Sequence, residues 1–301
     1  RRAMSMSALA YPHGRPIVSA VAVRRRRLLP PGATPFVSLN EQVTPGQSIA
    51  EIRSDAGLAT ALAGLAGRVV EVAPGQSVTI EGVATLINGI LGVGGQVAGP
   101  IYFPQRGESL ALVHLPRGSV IVYPTRAPLT LLQRAYASGA VAVIAASASA
   151  LELEAFARAD MTALLDGFVP LSAQPPLTVM LTEGLGDCEM SPPILRALEQ
   201  RVNDVILLNG QTSPRRNIRP EALLPLPMNA TPTATPLPSA FTAGTLARIT
   251  AGPRRGIWGR VSYVFTQARR SEAGQWEPSA LLRLDDGSTL VTPLALLDTI
   301  G

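Results

Sequence analysis

The stretch that decides the fold is residues 118–210. Its strand-like segments are GSVIVYP (118–124), AVAVIAAS (140–147), PLTVMLTEG (176–184) and DVILLNG (204–210), and its helix-like segments are PLTLLQRAYASG (128–139), ALELEAFARAD (150–160) and SPPILRALEQR (191–201). Short runs of Val, Ile, Leu and Ala without polar alternation are typical of strands that helices cover on both faces. Each run is about ten or more residues from the next, which is enough for the crossover that parallel strands need. The pattern predicts an α/β domain with a parallel sheet over residues 101–227.

The composition excludes much chemistry. All 26 basic residues are Arg, so chemistry that needs a lysine (a Schiff base, a lysine nucleophile, a phosphate-binding P-loop, a lipoyl or biotinyl attachment site) is absent. The single Cys188 excludes internal disulfides and thiolate metal clusters, and the two histidines, His13 and His114, lie far apart in sequence. We therefore expect a non-enzymatic protein without a cofactor or a bound metal.

Charge is concentrated at the start of the chain. Residues 1–27 contain seven Arg and no acidic residue, whereas the remaining 274 residues are nearly neutral, for a net charge of +5 overall. Two interpretations of the run Arg24–Arg27 are open: a solvated basic arm beside a first strand, or an arm that contacts phosphate, anionic lipid or an acidic partner. No apolar run reaches the length of about 18 residues that a membrane helix needs. We expect a cytoplasmic protein without a membrane span.

Residues 28–100 contain an internal near-repeat, Val43-Thr-Pro-Gly-Gln-Ser-Ile-Ala50 and Val72-Ala-Pro-Gly-Gln-Ser-Val-Thr79. Pro-Gly in each copy predicts a tight turn between two short strands, and residues 82–99 are interpreted as further strands and turns rather than a phosphate loop. The stretch resembles the barrel-sandwich hybrid of lipoyl and biotinyl carriers and of the corresponding domain in Rnf-type electron-transport complexes. The carriers present a modified lysine on a central hairpin, but the matching residues, 54–61, contain none. The resemblance therefore implies a scaffold module.

The carboxyl ends of parallel strands form a crevice where ligands commonly bind. The third predicted strand ends in TEGLGDCEMSPP (182–193), which offers a candidate pocket of Glu183, Asp187 and Ser191. Ser191 before a proline also suits the cap of the next helix. The other interpretation is a structural connection from strand to helix, because no His or Lys accompanies the acids. On that interpretation a small-molecule ligand is not expected.

The end of the chain carries the most specific motif. After a Pro/Thr-rich linker at 228–240, residues 244–261 read GTLARITAGPRRGIWGRV, and Asp286-Gly287 marks a hairpin turn. Residues 244–261 resemble the KOW motif, which occurs in the SH3-like barrels of ribosomal proteins and transcription elongation factors. The resemblance implies an SH3-like barrel over residues 241–301. It also implies that Arg254, Arg255, Trp258 and Arg260 contact an RNA backbone or a protein partner, with a purely structural spacer as the remaining interpretation of the barrel.

The predicted fold class is a mixed multidomain protein. A basic arm (1–27) precedes a barrel-sandwich hybrid (28–100), a central α/β parallel-sheet domain (101–227), a linker (228–240) and a C-terminal SH3-like β-barrel (241–301). We expect an adaptor or assembly protein that docks a protein partner. The alternative is a nucleic-acid-associated factor that binds RNA or DNA. The residues expected to contact either partner are Arg24, Arg25, Arg26, Arg27, Arg254, Arg255, Trp258 and Arg260.

Overall fold

The computed structural model describes residues 17–29, 32–54, 57–104, 114–166, 177–213, 218–233, 241–250, 254–270 and 276–300. Three predictions fall partly outside these segments: residues 1–16 of the basic arm, residues 234–240 of the linker, and Gly252-Pro253 of the predicted KOW turn. Over the described residues the chain is β-rich, with one large mixed sheet, smaller antiparallel sheets and few helices.

Twenty-one strands and four α-helices lie within the described segments. In chain order the strands are β1 (Ile17–Leu28), β2 (Thr34–Pro35), β3 (Gln42–Val43), β4 (Ser48–Ser54), β5 (Gly57–Leu62), β6 (Gly67–Ala73), β7 (Ser77–Asn88), β8 (Leu91–Val93), β9 (Gln96–Tyr102), β10 (Val120–Arg126), β11 (Ala142–Ala148), β12 (Thr178–Leu185), β13 (Val205–Asn209), β14 (Glu221–Pro225), β15 (Leu246–Ile249), β16 (Trp258–Val264), β17 (Arg269–Arg270), β18 (Trp276–Glu277), β19 (Ser279–Arg283), β20 (Thr289–Pro293) and β21 (Leu297–Ile300). The helices are α1 (Leu129–Ser138), α2 (Ala150–Ala157), α3 (Met161–Asp166) and α4 (Pro192–Glu199).

The centre of the large sheet is the predicted α/β unit. Strands β9, β10, β11 and β12 run parallel in that order. Alternate residues of β11 face opposite cores, so Val143 packs with α1 and α2 whereas Ile144 packs with α4. Because these strands are buried on both faces, their sequences are uninterrupted runs of apolar residues.

One strand of the predicted parallel set runs the other way, which corrects the parallel-sheet prediction to a mixed sheet. The segment at 204–210 forms β13, which pairs antiparallel with both β9 and β14 instead of continuing beside β12. The opposite edge is also antiparallel, because β8 pairs with β12. A run of buried Val, Ile and Leu predicts burial on both faces but does not indicate strand direction, so the sequence pattern could not distinguish the two arrangements.

The large sheet continues into residues 28–100. Strand β7 pairs with β1, β6 and β14, and β9 pairs with β10 and β13, so hydrogen-bonded strands join both sides of the predicted boundary at residue 100. The two Pro-Gly turns have the same hydrogen bond, from the Gln47 N–H to the Thr44 carbonyl and from the Gln76 N–H to the Ala73 carbonyl, each 3.0 Å. The predicted turn between two strands is confirmed in both copies.

The C-terminal residues form a separate antiparallel sheet in the order β20-β19-β16-β15-β21. Its core consists of Ala247, Ile249, Val261, Ala280, Leu282 and Leu297. The predicted hairpin at Asp286-Gly287 is confirmed, because β19 and β20 pair on either side of it. No helix in the described part of the chain has the length and apolar character needed to cross a bilayer.

Candidate functional site

The arginine run predicted to contact a partner lies in strand β1, and each of its side chains has a partner within the protein. Arg24 forms an ion pair with Glu81 at 3.4 Å. Arg25 makes two hydrogen bonds to the Glu221 carboxylate, at 2.7 and 2.8 Å. The Arg26 Nε donates to a serine hydroxyl of β7 at 2.8 Å. The run therefore ties β1 to β7 and β14.

Arg27 is the most buried member of the run, with 4% of its surface exposed. Its Nε and Nη2 donate to the Leu62 carbonyl at 3.2 and 3.0 Å, and its Nη1 donates to the Gln96 side chain at 2.7 Å. Burial lowers the pKa of Arg27 to about 10 because the charged guanidinium loses hydration. This side chain is therefore used inside the fold and is not presented to a partner.

The candidate pocket at the end of β12 is filled by an arginine that sequence analysis did not single out. Arg248 of β15 reaches from the C-terminal sheet, and its Nη1 donates to the Glu183 carboxylate and to the Thr182 carbonyl, the latter at 3.1 Å. The other oxygen of Glu183 accepts the Ser191 N–H at 3.1 Å. Arg248 and Glu183 are 1% and 2% exposed, so this carboxylate is used inside the protein.

A second carboxylate completes the buried cluster. Asp298 of β21 lies 3.7 Å from Nη2 of Arg248 and 3.7 Å from Nη2 of Arg219. Sequence analysis also did not single out Asp298. No local signal marked Arg248, because a charged residue between two apolar residues, here Ala247 and Ile249, is the ordinary pattern of a strand with one face in solvent.

The loop after β12 fixes where the C-terminal sheet sits. Ser147 of β11 donates to the Cys188 carbonyl at 3.1 Å and accepts the Cys188 N–H at 3.0 Å. A Cβ on Gly256 would lie 3.3 Å from Cys188 Sγ, and one on Gly186 would lie 2.7 Å from Nη2 of Arg255. The turn that carries Arg255 therefore rests on this loop, while Asp187 stays exposed.

The remaining predicted contact residues lie in the C-terminal part of the chain, whereas the run Arg24–Arg27 lies in β1. Arg254 and Arg260 are exposed, and Arg255 and Trp258 are half-buried, all on the C-terminal sheet or its turn. No hydrogen bond or ion pair between described residues joins them to the run Arg24–Arg27, which belongs to the large sheet. The two predicted groups are thus not part of one bonded cluster.

The outer face of β16, β19 and β20 carries an exposed apolar row. Tyr263 lies opposite Leu281, and Leu281 lies opposite Val291, so the three side chains share one face. Tyr263 is 51% exposed and Val291 is 45% exposed. Phe265 extends the row, since its ring meets that of Tyr263 edge to face with centroids 5.3 Å apart. We call these four residues the apolar row.

Three arginines frame the apolar row. Arg260 and Arg283 lie directly opposite each other on β16 and β19, on the same face as Leu281, and both are exposed. At the other end, the Arg269 guanidinium lies 4.4 Å from the centroid of the Phe265 ring. Among the described residues none of the three forms an ion pair with a carboxylate. The row and these arginines together make up the framed face.

Other evidence of a ligand site is absent from the described segments. No three His, Cys, Asp or Glu side chains there come together in a way that could hold a metal ion. Comparison of the chain with known protein families, with curated proteins and with solved structures finds no match.

Proposed function

We propose that this chain is a non-enzymatic adaptor that docks a protein partner on the framed face of its C-terminal sheet. The observation that carries this proposal is the apolar row, in which the half-exposed Tyr263 and Val291 lie on either side of Leu281 on one sheet face. Clustered exposed apolar side chains, unlike single ones, are typical of interaction surfaces. Tyrosine and arginine are also among the residues enriched at protein–protein interfaces.

The buried cluster supports this function by holding the docking sheet on the body of the protein. Arg248 and Asp298 belong to the C-terminal sheet, whereas Glu183 belongs to the large sheet. The buried ion pair between Arg248 and Glu183 forms only when the two sheets meet in this arrangement, so the cluster specifies how the C-terminal sheet sits on the large sheet. A partner on the framed face would then be held at a fixed orientation to the body, which is what an adaptor requires.

The alternative function is binding of RNA or DNA. The exposed Arg254 and Arg260 favour it, because guanidinium groups bind phosphates well. Two observations weigh against it: Arg27 is buried, and Arg25 is already paired with Glu221. Much of the basicity that suggested a polyanion partner is thus used within the fold. We therefore place the protein partner first.

We also propose that the C-terminal sheet is an SH3-like barrel of the KOW type and that residues 28–100 are built on a barrel-sandwich hybrid. For the first, the support is the five-stranded antiparallel order and the positive φ of 86° at Gly256, which the motif's second glycine would need. For the second, the support is the repeated Pro-Gly turn with its matching hydrogen bonds at Gln47 and Gln76.

Site-specific photo-crosslinking tests the adaptor function. A photoreactive phenylalanine replaces Tyr263 in one full-length variant and Tyr136 in a control, which is matched because these tyrosines are 51% and 50% exposed. Crosslinking is done in the organism's own lysate, and adducts are identified by mass spectrometry. We expect one protein to be captured at position 263 and not at position 136. That protein should bind the purified chain, and Tyr263→Ser should abolish this binding. Equal capture at both positions, or none, would contradict the proposal.

A further inference from the structure

We propose that the segment bound by the framed face is an extended acidic peptide, in which carboxylates lie on both sides of an apolar side chain. This inference rests on the proposed adaptor function and specifies the chemistry of the partner. It follows from the charge of the framed face, from its spacing, and from the way that its aromatic rings are already used.

Charge is the first step. Arg260 and Arg283 occupy directly opposed positions on neighbouring strands, an arrangement in which like charges repel. Arg260 has a hydrogen bond from Nη1 to the Gly244 carbonyl at 3.3 Å, but no carboxylate among the described residues relieves the repulsion. Asp286, in the turn after β19, accepts the Ser288 N–H at 2.9 Å and the Ser288 hydroxyl at 2.6 Å, both at Oδ1, and within the described part of the chain it forms no ion pair with either arginine. A carboxylate from outside that lies between the two arginines would attract both and reduce their repulsion.

Spacing is the second step. Leu281 and Arg283 are two residues apart on β19, so their side chains point the same way about 6.8 Å apart. An extended peptide that runs along this strand has the same spacing between its alternate residues. An apolar side chain over the row therefore places a carboxylate two residues on at Arg283. The residue two positions back lies toward Arg269 at the far end of the row.

The packing of the two aromatic rings of the apolar row favours a peptide over a nucleic acid. Binding of single-stranded nucleic acid uses open aromatic faces on which bases stack. One face of Phe265 is already covered by Arg269, and its ring meets Tyr263 edge to face. The rest of the row, Leu281 and Val291, is aliphatic and suits side chains rather than bases.

The test measures binding of defined peptides to the full-length chain by fluorescence anisotropy at low and at physiological salt. The probe is a labelled peptide that repeats Glu-Ser-Leu-Ser, which puts Glu and Leu on one face when the peptide is extended. One control peptide has Lys at every Glu position, and another has Ser at every Leu position. A labelled single-stranded RNA is measured beside them. We expect the first peptide to bind at least tenfold more tightly than either control, and more weakly as salt increases.

Variants then locate the binding. Arg260→Gln with Arg283→Gln, and separately Tyr263→Ser with Val291→Ser, should each weaken binding at least tenfold. The control replaces Arg158 and Arg196 by Gln, which removes the same charge from exposed positions just after α2 and within α4 and should change binding less than twofold. Arg260→Glu with Arg283→Glu should reverse the preference, so that the lysine peptide binds more tightly. These residues are exposed, and far-ultraviolet circular dichroism checks that each variant folds.

Several results would overturn the acidic-peptide proposal. They are equal binding of the acidic and basic peptides, no binding of either, binding of RNA that depends on Arg260 and Arg283, or a homodimer that Tyr263→Ser dissociates. Failure of the acidic-peptide proposal can be distinguished from failure of the adaptor function. A single partner captured at position 263 that contains no acidic segment at the crosslink leaves the adaptor standing and removes the acidic peptide, whereas no specific capture removes the adaptor.

Discussion

Replacing Arg248 by Met should uncouple the C-terminal sheet from the body of the protein. Methionine retains the aliphatic part of the side chain but has no guanidinium, so Glu183 and Asp298 both lose a buried cation. Glu183 keeps the Ser191 N–H as a donor, and Asp298 still lies 3.7 Å from Arg219. The remaining contacts satisfy part of each carboxylate but do not neutralise the pair.

The expected cost follows from this geometry. Removing one member of a buried ion pair typically costs about 3–5 kcal/mol, and Arg248→Met belongs at the upper end because two carboxylates are affected. Glu183→Gln should cost only about 2 kcal/mol, since the amide oxygen can still accept the Ser191 N–H and Arg248 keeps Asp298. Combining Arg248→Met with Glu183→Leu should recover part of the loss, because no unpaired carboxylate then remains at position 183.

Urea unfolding measures these costs with two probes. Trp258 lies in β16 of the C-terminal sheet and Trp276 in β18, which pairs with β17, so tryptophan fluorescence reports the C-terminal part of the chain. Far-ultraviolet circular dichroism reports the whole chain. With a denaturant slope of about 2 kcal/mol per M, Arg248→Met should lower the fluorescence midpoint by about 2 M and the dichroism midpoint by less.

The control for this series is Arg270→Met, an exposed change in the same part of the chain, which should alter stability by no more than about 0.5 kcal/mol. Two outcomes would refute the reasoning. One is a loss below about 1 kcal/mol for Arg248→Met. The other is a larger loss for Glu183→Gln than for Arg248→Met, because the structure gives the arginine two carboxylate partners and the glutamate one arginine.

Three further predictions concern the large sheet. Arg27→Lys should lower the free energy of unfolding by about 2–3 kcal/mol, because one ammonium cannot replace three directed donors. The control, Arg26→Lys at an exposed position, should change it by less than about 0.5 kcal/mol. Similar urea midpoints for the two variants would contradict this prediction. Because the pKa of Arg27 is lowered to about 10, the unfolded chain binds this proton more tightly. The stability of the wild type relative to Arg27→Met should therefore increase as the pH rises through about 10, by on the order of 1 kcal/mol between about pH 9 and 11. Urea unfolding at several pH values measures this difference, and a difference that decreases over that range would contradict the prediction. Gly67→Ala should lower the free energy of unfolding by more than about 3 kcal/mol, since the new Cβ would lie 1.9 Å from the Glu81 carbonyl oxygen. In the control, Gly46→Ala, the nearest atom to the new Cβ would be 3.8 Å away, so thermal unfolding should be nearly unchanged.

Local patterns allowed prediction of the local structure. The three helices expected at 128–139, 150–160 and 191–201 form within three residues of those bounds, and the Pro-Gly and Asp-Gly turns form where their residues require. These features depend on residues that are close in sequence. The α/β alternation also predicted correctly that helices cover both faces of the central strands.

Long-range pairing was beyond the sequence pattern. The direction of β13 and the continuity of the sheet through residue 100 depend on which distant strand each edge meets. The same holds for the site. Arg248 and Glu183 are 65 residues apart in the chain, and nothing near either one indicates the other. Exposure of the apolar row depends on a β-bulge between Val261 and Tyr263, which shifts the alternation of β16.

The uniform use of arginine concealed these differences in role, because every cation of this chain has the same side chain. Environment separates them. Arg27 and Arg248 are buried with directed hydrogen bonds, and such guanidinium groups hold strands and sheets together. Arg260 and Arg283 face each other in solvent without a carboxylate, an arrangement that costs stability and is not offset within the described chain. Under the acidic-peptide proposal, a carboxylate of the partner would offset this cost. For this reason the functional interpretation rests on the framed face and not on the longer arginine run of β1.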